Sequence, residues 1–213
     1  MRKTIFVAMG LVLISIASGV LLYPKMPENI ASHWNMNGEA DGYSSKAAGV
    51  FLLPALSALL LFFFLIIPKI DPLGKNIESF RNYYDGFILS FTGFMSYLYL
   101  LTILWNAGYR FNMSQALSPA FGMLFFYLGI LTENAKRNWF IGIRTPWTLS
   151  SDAVWDKTHR IGGKLFKAAG IISLLGAFIP QYAILLVLVP VISVSAYSFV
   201  YSYVEYSRQR KKK

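Results

Sequence analysis

Six apolar stretches govern what this chain can become: Thr4 to Tyr23, Ala47 to Ile67, Gly86 to Ala107, Leu117 to Thr132, Leu165 to Ile179 and Tyr182 to Val204. Crossing the hydrocarbon core of a bilayer takes about 20 apolar residues at 1.5 Å each. Backbone groups in hydrocarbon must find their hydrogen bonds within their own segment, so such stretches are helices. The chain is 55% hydrophobic and only 14% charged, where a soluble domain carries roughly 25% charged residues. The expected fold class is therefore all-α, a polytopic membrane protein of six transmembrane helices, with the fourth and fifth the shortest. Arg2 and Lys3 precede the first stretch as they would in a signal peptide, but no small-x-small cleavage site precedes Tyr23-Pro24, which predicts a retained helix. The absence of cysteine removes thiolate nucleophiles, thiolate metal sites and disulfides.

The charge of +10, from 20 Lys and Arg against 10 Asp and Glu, becomes informative once divided by topology. With the amino terminus inside, 17 of the 20 basic residues fall on the inner side, and only Lys25, Lys46 and Arg110 lie outside. That asymmetry follows the positive-inside rule and puts both termini on the cytoplasmic side of a cell membrane, the bacterial cytoplasmic membrane by this reading. The basic excess is thus a topology signal with an affinity for anionic headgroups, strongest in the Arg208 to Lys213 tail, and direct nucleic-acid binding is not expected. Coupled transporters keep an ionisable group deep in the bundle. Here Lys167, at the start of the fifth stretch, is close enough to the interface to reach it, so transport is disfavoured. Asn106 reads as a packing residue, and Pro54 and Pro190 as kinks.

The outer loop between the first two stretches is patterned. Pro24 and Pro27 stiffen the exit from the membrane, and Asn37-Gly38 and Asp41-Gly42 are turn dipeptides. Tyr23, Trp34 and Tyr43 are rings suited to the headgroup level, so the loop is expected to lie on the membrane as a hydrogen-bonded turn system. Asn37, Glu39, Asp41, Gly42 and Ser45 match calcium-loop positions, but the twelfth is Ala48, so the bidentate glutamate is missing. His33 has no second His or Cys nearby for zinc. No metal or cofactor is expected.

The inner loop, Asn138 to Gly163, reads in two parts. Up to Trp147, aromatic and β-branched residues suggest an interfacial segment, with Gly142 giving backbone room and Pro146 holding Thr145 extended. An amphipathic helix follows, with Ser150 as N-cap, Leu149 and Val154 as a staple, and a run leading into the fifth stretch. Gly162-Gly163 allows a bend or close packing at the boundary. Asp152, Asp156, His159, Arg144 and Thr148 contain an acid, a base and a hydroxyl, which keeps a lipid-modifying enzyme or lipid-binding protein as an alternative. The spacing of Asp152, Asp156 and His159 equally suits hydrogen bonding along one helix, so no catalytic residue is assigned. Arg144, among Trp139, Ile141, Ile143 and Trp147, requires an acceptor: a lipid phosphate, a carboxylate such as Glu133, or helix-end carbonyls. Both an internal clamp, the preferred reading, and a ligand-binding role stay open.

The run Asn138-Trp-Phe-Ile-Gly-Ile-Arg-Thr-Pro-Trp-Thr-Leu149, with Val154-Trp155 and Thr158-His159-Arg160-Ile-Gly-Gly163, closely resembles the signature of the SdpI family. Tyr23-Pro24, Met26-Pro27, His33-Trp34-Asn35, Gly38, Asp41-Gly42-Tyr43 and Ser45-Lys46 resemble the uncharacterised domain commonly found ahead of that region. The resemblance implies residues 1–70 as a first hairpin of spans with the outer loop and residues 71–213 as the SdpI-like region, in one bundle. It implies a non-enzymatic immunity protein against secreted SDP-type peptide toxins. In some members it implies signalling, by capture of an ArsR-type repressor at the membrane. The interaction residues it points to are Asn138, Gly142, Arg144, Thr145, Pro146, Trp147, Trp155, His159 and Arg160 on the inner side. On the outer side they are Pro27, His33, Trp34, Asn35, Gly38, Asp41 and Gly42. Membrane lipids, a secreted peptide toxin and the repressor are the partners it implies.

Overall fold

A computed structural model describes residues 2–211; Lys212 and Lys213 of the basic tail lie outside the described residues. Helix α1 covers Lys3–Leu22 and passes through a 3-10 turn, Tyr23–Lys25, into strands β1, Asn29–Trp34, and β2, Ala40–Ser45. Then come α2 (Lys46–Ile70), α3 (Gly74–Ser79), α4 (Arg81–Asn106), α5 (Met113–Asn134), α6 (Pro146–Ser150), α7 (Asp152–Leu174) and α8 (Ala183–Arg210). Five helices, α1, α2, α4, α5 and α8, are long and apolar enough to cross a membrane. Helix α7 is not among them. The amphipathic stretch and the start of the fifth apolar stretch form one uninterrupted helix, and its charged first half dilutes the apolar second half.

Two local expectations change. The outer loop, expected as turns within an all-α fold, folds into an antiparallel β1–β2 hairpin. The N-cap of the inner amphipathic helix is Ser151, whose Oγ accepts the Val154 N–H, and Ser150 instead ends α6. Pro146 starts α6 early, because its fixed φ suits a first helical position and its missing N–H costs nothing there.

In lipid, helix association rests on close packing, since lipid tails are as apolar as Leu. Helices α5 and α7 show this most clearly. A methyl added to Gly129 would lie 2.5 Å from the Gly163 carbonyl oxygen, and one added to Gly163 would lie 2.6 Å from that of Gly129. Gly122 and Gly170 repeat the arrangement, at 2.8 and 2.6 Å. Farther along, Gln115 Nε2 donates to the Ala177 carbonyl at 2.8 Å. The two backbones therefore touch in antiparallel register along most of α5. A core cluster links Ile5, Ala8 and Val12 of α1 with Leu61 and Ile67 of α2, Tyr84 and Ile88 of α4, Leu131 of α5 and Trp155 of α7. Near the first turns of α1 and α4, Asp85 lies between Arg2 (2.6 Å) and Arg81 (3.2 Å), which ties the start of α1 to α4.

Candidate functional site: the inner-loop network and the outer hairpin

The inner loop from Ala135 to Thr145 has no regular secondary structure, so its backbone groups need side-chain partners. Asn138, fully buried, supplies several. Its Oδ1 accepts the N–H groups of Phe140 (2.9 Å) and Ile141 (2.6 Å), and its Nδ2 donates to the carbonyls of Lys136 (2.8 Å) and Ile141 (2.9 Å). Asp71, which ends α2, accepts the N–H of Trp139 at 2.8 Å and that of Leu73 at 2.7 Å. The sequence reading missed Asp71. Its signal was its position, for a carboxylate at a helix C-terminus opposes the macrodipole and must be held by donors elsewhere.

Beyond this knot the chain turns back at Gly142, whose φ of +111° belongs to glycine. A methyl there would also lie 2.3 Å from Nε2 of His159. His159 and Trp155, one turn apart on α7, stack with centroids 3.9 Å apart. Both are buried. The His159 Nδ1–H donates to the Trp155 carbonyl at 2.9 Å, and Nε2 accepts the Ile143 N–H at 3.0 Å. Nε2 can accept only when unprotonated, so the geometry requires a neutral ring. Burial agrees: it pushes the imidazole pKa down to about 4, against a smaller upward pull from the Trp155 carbonyl. Trp155 Nε1 donates to the Ala135 carbonyl at 2.8 Å, which secures the other end of the loop.

Thr145 and Thr148 form a capping box on α6: each side-chain oxygen accepts the other residue's N–H, at 3.2 and 2.9 Å. Thr145 Oγ1 also donates to Ser202 Oγ of α8 at 3.0 Å, and Thr148 Oγ1 donates to the Ile143 carbonyl at 2.8 Å. Trp147 packs against Phe199 and Tyr203 of α8, each at 5.1 Å between centroids. Hydroxyls and one aromatic thus dock the loop onto the last span.

Of the inner residues singled out from the sequence, Asn138, Gly142, Thr145, Trp155 and His159 belong to this network, and Trp147 docks on α8. Pro146, Arg144 and Arg160 are exposed. Arg144 donates to the Trp139 carbonyl at 2.7 Å; Glu133, a proposed acceptor for it, pairs with Lys167 at 2.8 Å. Arg137, not singled out from the sequence, donates to the Leu149 carbonyl at 2.9 Å and sits 2.7 Å from Asp152, in poor hydrogen-bonding direction. Asp156 faces Lys136 at 3.8 Å. The acid–base grouping of Asp152, Asp156 and His159 is not assembled. Both carboxylates face basic residues near the surface, while both His159 nitrogens are engaged by backbone.

The β1–β2 hairpin carries most of the residues singled out in the loop between the first two stretches. Asn35 closes the turn: its Oδ1 accepts the N–H groups of Asn37 (2.9 Å) and Glu39 (3.0 Å). Gly38 has φ +78°, and a methyl on it would meet Asn112 Oδ1 at 2.3 Å. Asn112 Nδ2 donates to the Asn37 carbonyl at 2.6 Å and its Oδ1 caps α5, so one side chain joins the hairpin tip to a span. His33 Nδ1 and Asp41 Oδ1 are 2.5 Å apart, and Gly42 pairs with His33 where a methyl would lie 2.9 Å from its Cβ. Trp34 meets Trp105 edge-on at 5.8 Å, and Arg110 lies 3.6 Å over Trp105. Pro27 is exposed ahead of β1. Asn106, read as a packing residue, treats Ala31 as a neighbouring strand would: Oδ1 accepts its N–H at 2.8 Å and Nδ2 donates to its carbonyl at 3.0 Å.

The model of the SdpI/YfhL protein family matches residues 134–202. That stretch runs from the last residue of α5 to Ser202 and encloses the network except for Asp71. A domain of unknown function, DUF1648, matches residues 10–58, which contain the hairpin. The curated protein "Immunity protein SdpI" of Bacillus subtilis (strain 168) is 28% identical over 212 residues, covering 98% of each chain. No solved structure matches the chain. Five apolar helices and these similarities make it a multi-pass membrane protein. By the region at residues 134–202, the DUF1648 region ahead of it and a relative matched from end to end, the chain is similar to the SdpI family along its length.

Proposed function

We propose that this chain is an immunity protein of the bacterial cytoplasmic membrane that protects its cell from a secreted SDP-type peptide toxin. The observation that carries the reading is the similarity to Immunity protein SdpI over 98% of both chains. Protection here needs no catalysis. The buried network engages its polar groups with backbone, which suits a rigid scaffold better than a reaction centre. Toxin would meet the outer hairpin, where His33, Trp34 and Asp41 stand together. A signalling role would use the inner face, where an ArsR-type repressor would meet exposed Arg144 and Arg160.

The proposed arrangement has six spans with both ends inside, and residues 1–70 and 71–213 working as one bundle. The antiparallel contact of α7 with α5, from Gly129·Gly163 to Gln115·Ala177, supports α7 as the sixth crossing, because the two helices then share one depth. Expression in a toxin-sensitive bacterium, with survival and membrane potential as readouts, tests the function. Cells carrying the chain should survive SDP-type toxins that depolarise vector controls. Survival no better than vector, with expression verified and several such toxins tried, removes the immunity reading.

A further inference from the structure

We propose that the cavity between α5, α7, α8 and the inner loop binds the headgroup of an anionic phospholipid from the inner leaflet. The proposal goes beyond the immunity reading and does not depend on it. The cavity holds about 320 Å³, at the lower end of ligand sites at roughly 300–1,000 Å³. It therefore suits a headgroup and the start of the acyl chains, with the remainder left in the bilayer.

Its lining is divided by chemistry. Arg144 and Thr145 stand at the loop end, and Leu128 and Phe166 form apolar walls. Arg144 donates one N–H to the Trp139 carbonyl and has no other hydrogen bond or ion pair among the described residues. A guanidinium carries five N–H donors in a planar fork suited to phosphate, so most of that fork is available. Ser198 of α8, 2% exposed, lines the same cavity. Its Oγ is shielded in this conformation and has no hydrogen-bond partner, although buried hydroxyls nearly always find one. Rotation of that side chain toward the cavity would give it a bound phosphate oxygen, beside the unused donors of Arg144.

Position selects the source of the phosphate. The cavity lies against two membrane-crossing helices, on the side where basic residues concentrate and where the leaflet carries negative charge. Ser195 and Phe199, exposed on α8, form its rim toward lipid. A soluble phosphate would surrender hydration against Leu128 and Phe166 with nothing in return, whereas a phospholipid brings acyl chains that match those walls.

Native mass spectrometry of the full-length chain in detergent tests this, with phosphatidylglycerol, phosphatidylcholine and glycerol phosphate as probes. Phosphatidylglycerol should be retained in preference to phosphatidylcholine. Its affinity should fall at least tenfold in Arg144→Gln and in Ser195→Phe, which plugs the mouth. Both positions are exposed, and an unchanged unfolding temperature verifies that each variant is folded. The basic tail also attracts anionic lipid, but it is the same in every variant. Equal retention by wild type and both variants overturns the site. Equal retention of the two lipids overturns the anionic assignment, and competition by glycerol phosphate at lipid-like concentration overturns the membrane as source.

Discussion

Nε2 of His159 accepts the backbone N–H of Ile143 across 3.0 Å, and this bond joins the irregular inner loop to the first half of α7. It holds only for the neutral ring. Burial keeps the ring neutral in the folded protein down to about pH 4, whereas the unfolded chain takes up the proton near 6.5. The unfolded state binds more protons between those values, so stability is complete above about pH 6.5 and is lost as pH falls toward 4. The loss amounts to about 3 kcal/mol. Thermal unfolding in detergent should show it. His159→Phe keeps a ring beside Trp155 and removes the titration. It should be less stable at pH 7.5 by about 1–3 kcal/mol, because the Ile143 N–H loses its acceptor, and its stability should fall less between pH 6.5 and 4.5. Matching slopes in the two proteins would contradict the neutral-histidine account.

Gly142→Ala places a side chain where φ is +111° and a methyl would lie 2.3 Å from His159 Nε2. The backbone position alone costs about 1–3 kcal/mol, and the ring cannot retreat because Trp155 stacks against it. Gly10→Ala is the control, since nothing lies within 4 Å of the added methyl there. A lowered unfolding temperature for the first and no loss for the second is expected. Equal behaviour would mean that the loop does not turn at Gly142 as described.

Asn106→Leu should free the hairpin from α4. Both the N–H and the carbonyl of Ala31, a fully buried residue, lose their partner, at about 1–3 kcal/mol for each group left unsatisfied. Amide exchange should accelerate across Asn29–Trp34 and leave α7 unaffected. Slow exchange in the variant hairpin would show that other contacts anchor it.

Topology is testable without background, because the chain contains no cysteine. Tyr43→Cys, in β2 and exposed, should react with an impermeant thiol reagent applied to intact cells, and Ser151→Cys should react only after permeabilisation. Protection of Tyr43→Cys, or external labelling of Ser151→Cys, would overturn the assignment of the two loops to opposite sides.

Sequence alone located the long apolar helices and the family resemblance. Long apolar stretches have one stable backbone in hydrocarbon, and the distribution of Lys and Arg carries an orientation, so neither inference needs a tertiary contact. The inner run from Asn138 to Gly163 was legible as a unit because its residue types are costly to leave unpaired at an interface. What the tertiary structure decided were the partners. Asp71 is 68 positions from Trp139, and only folding brings its carboxylate to the Trp139 N–H. Thr145 meets Ser202, and Asn106 meets Ala31, across similar distances in sequence. The hairpin stayed hidden because strand pairing in a short polar loop is set by what it docks on, here the Asn106 and Asn112 amides, and neither strand's residues, NIASHW or ADGYSS, alternate apolar with polar. Helix α7 escaped the apolar criterion for a related reason. Its place beside α5 comes from glycines that let two backbones touch, and close approach is a property of the pair that neither helix carries in its own hydrophobicity.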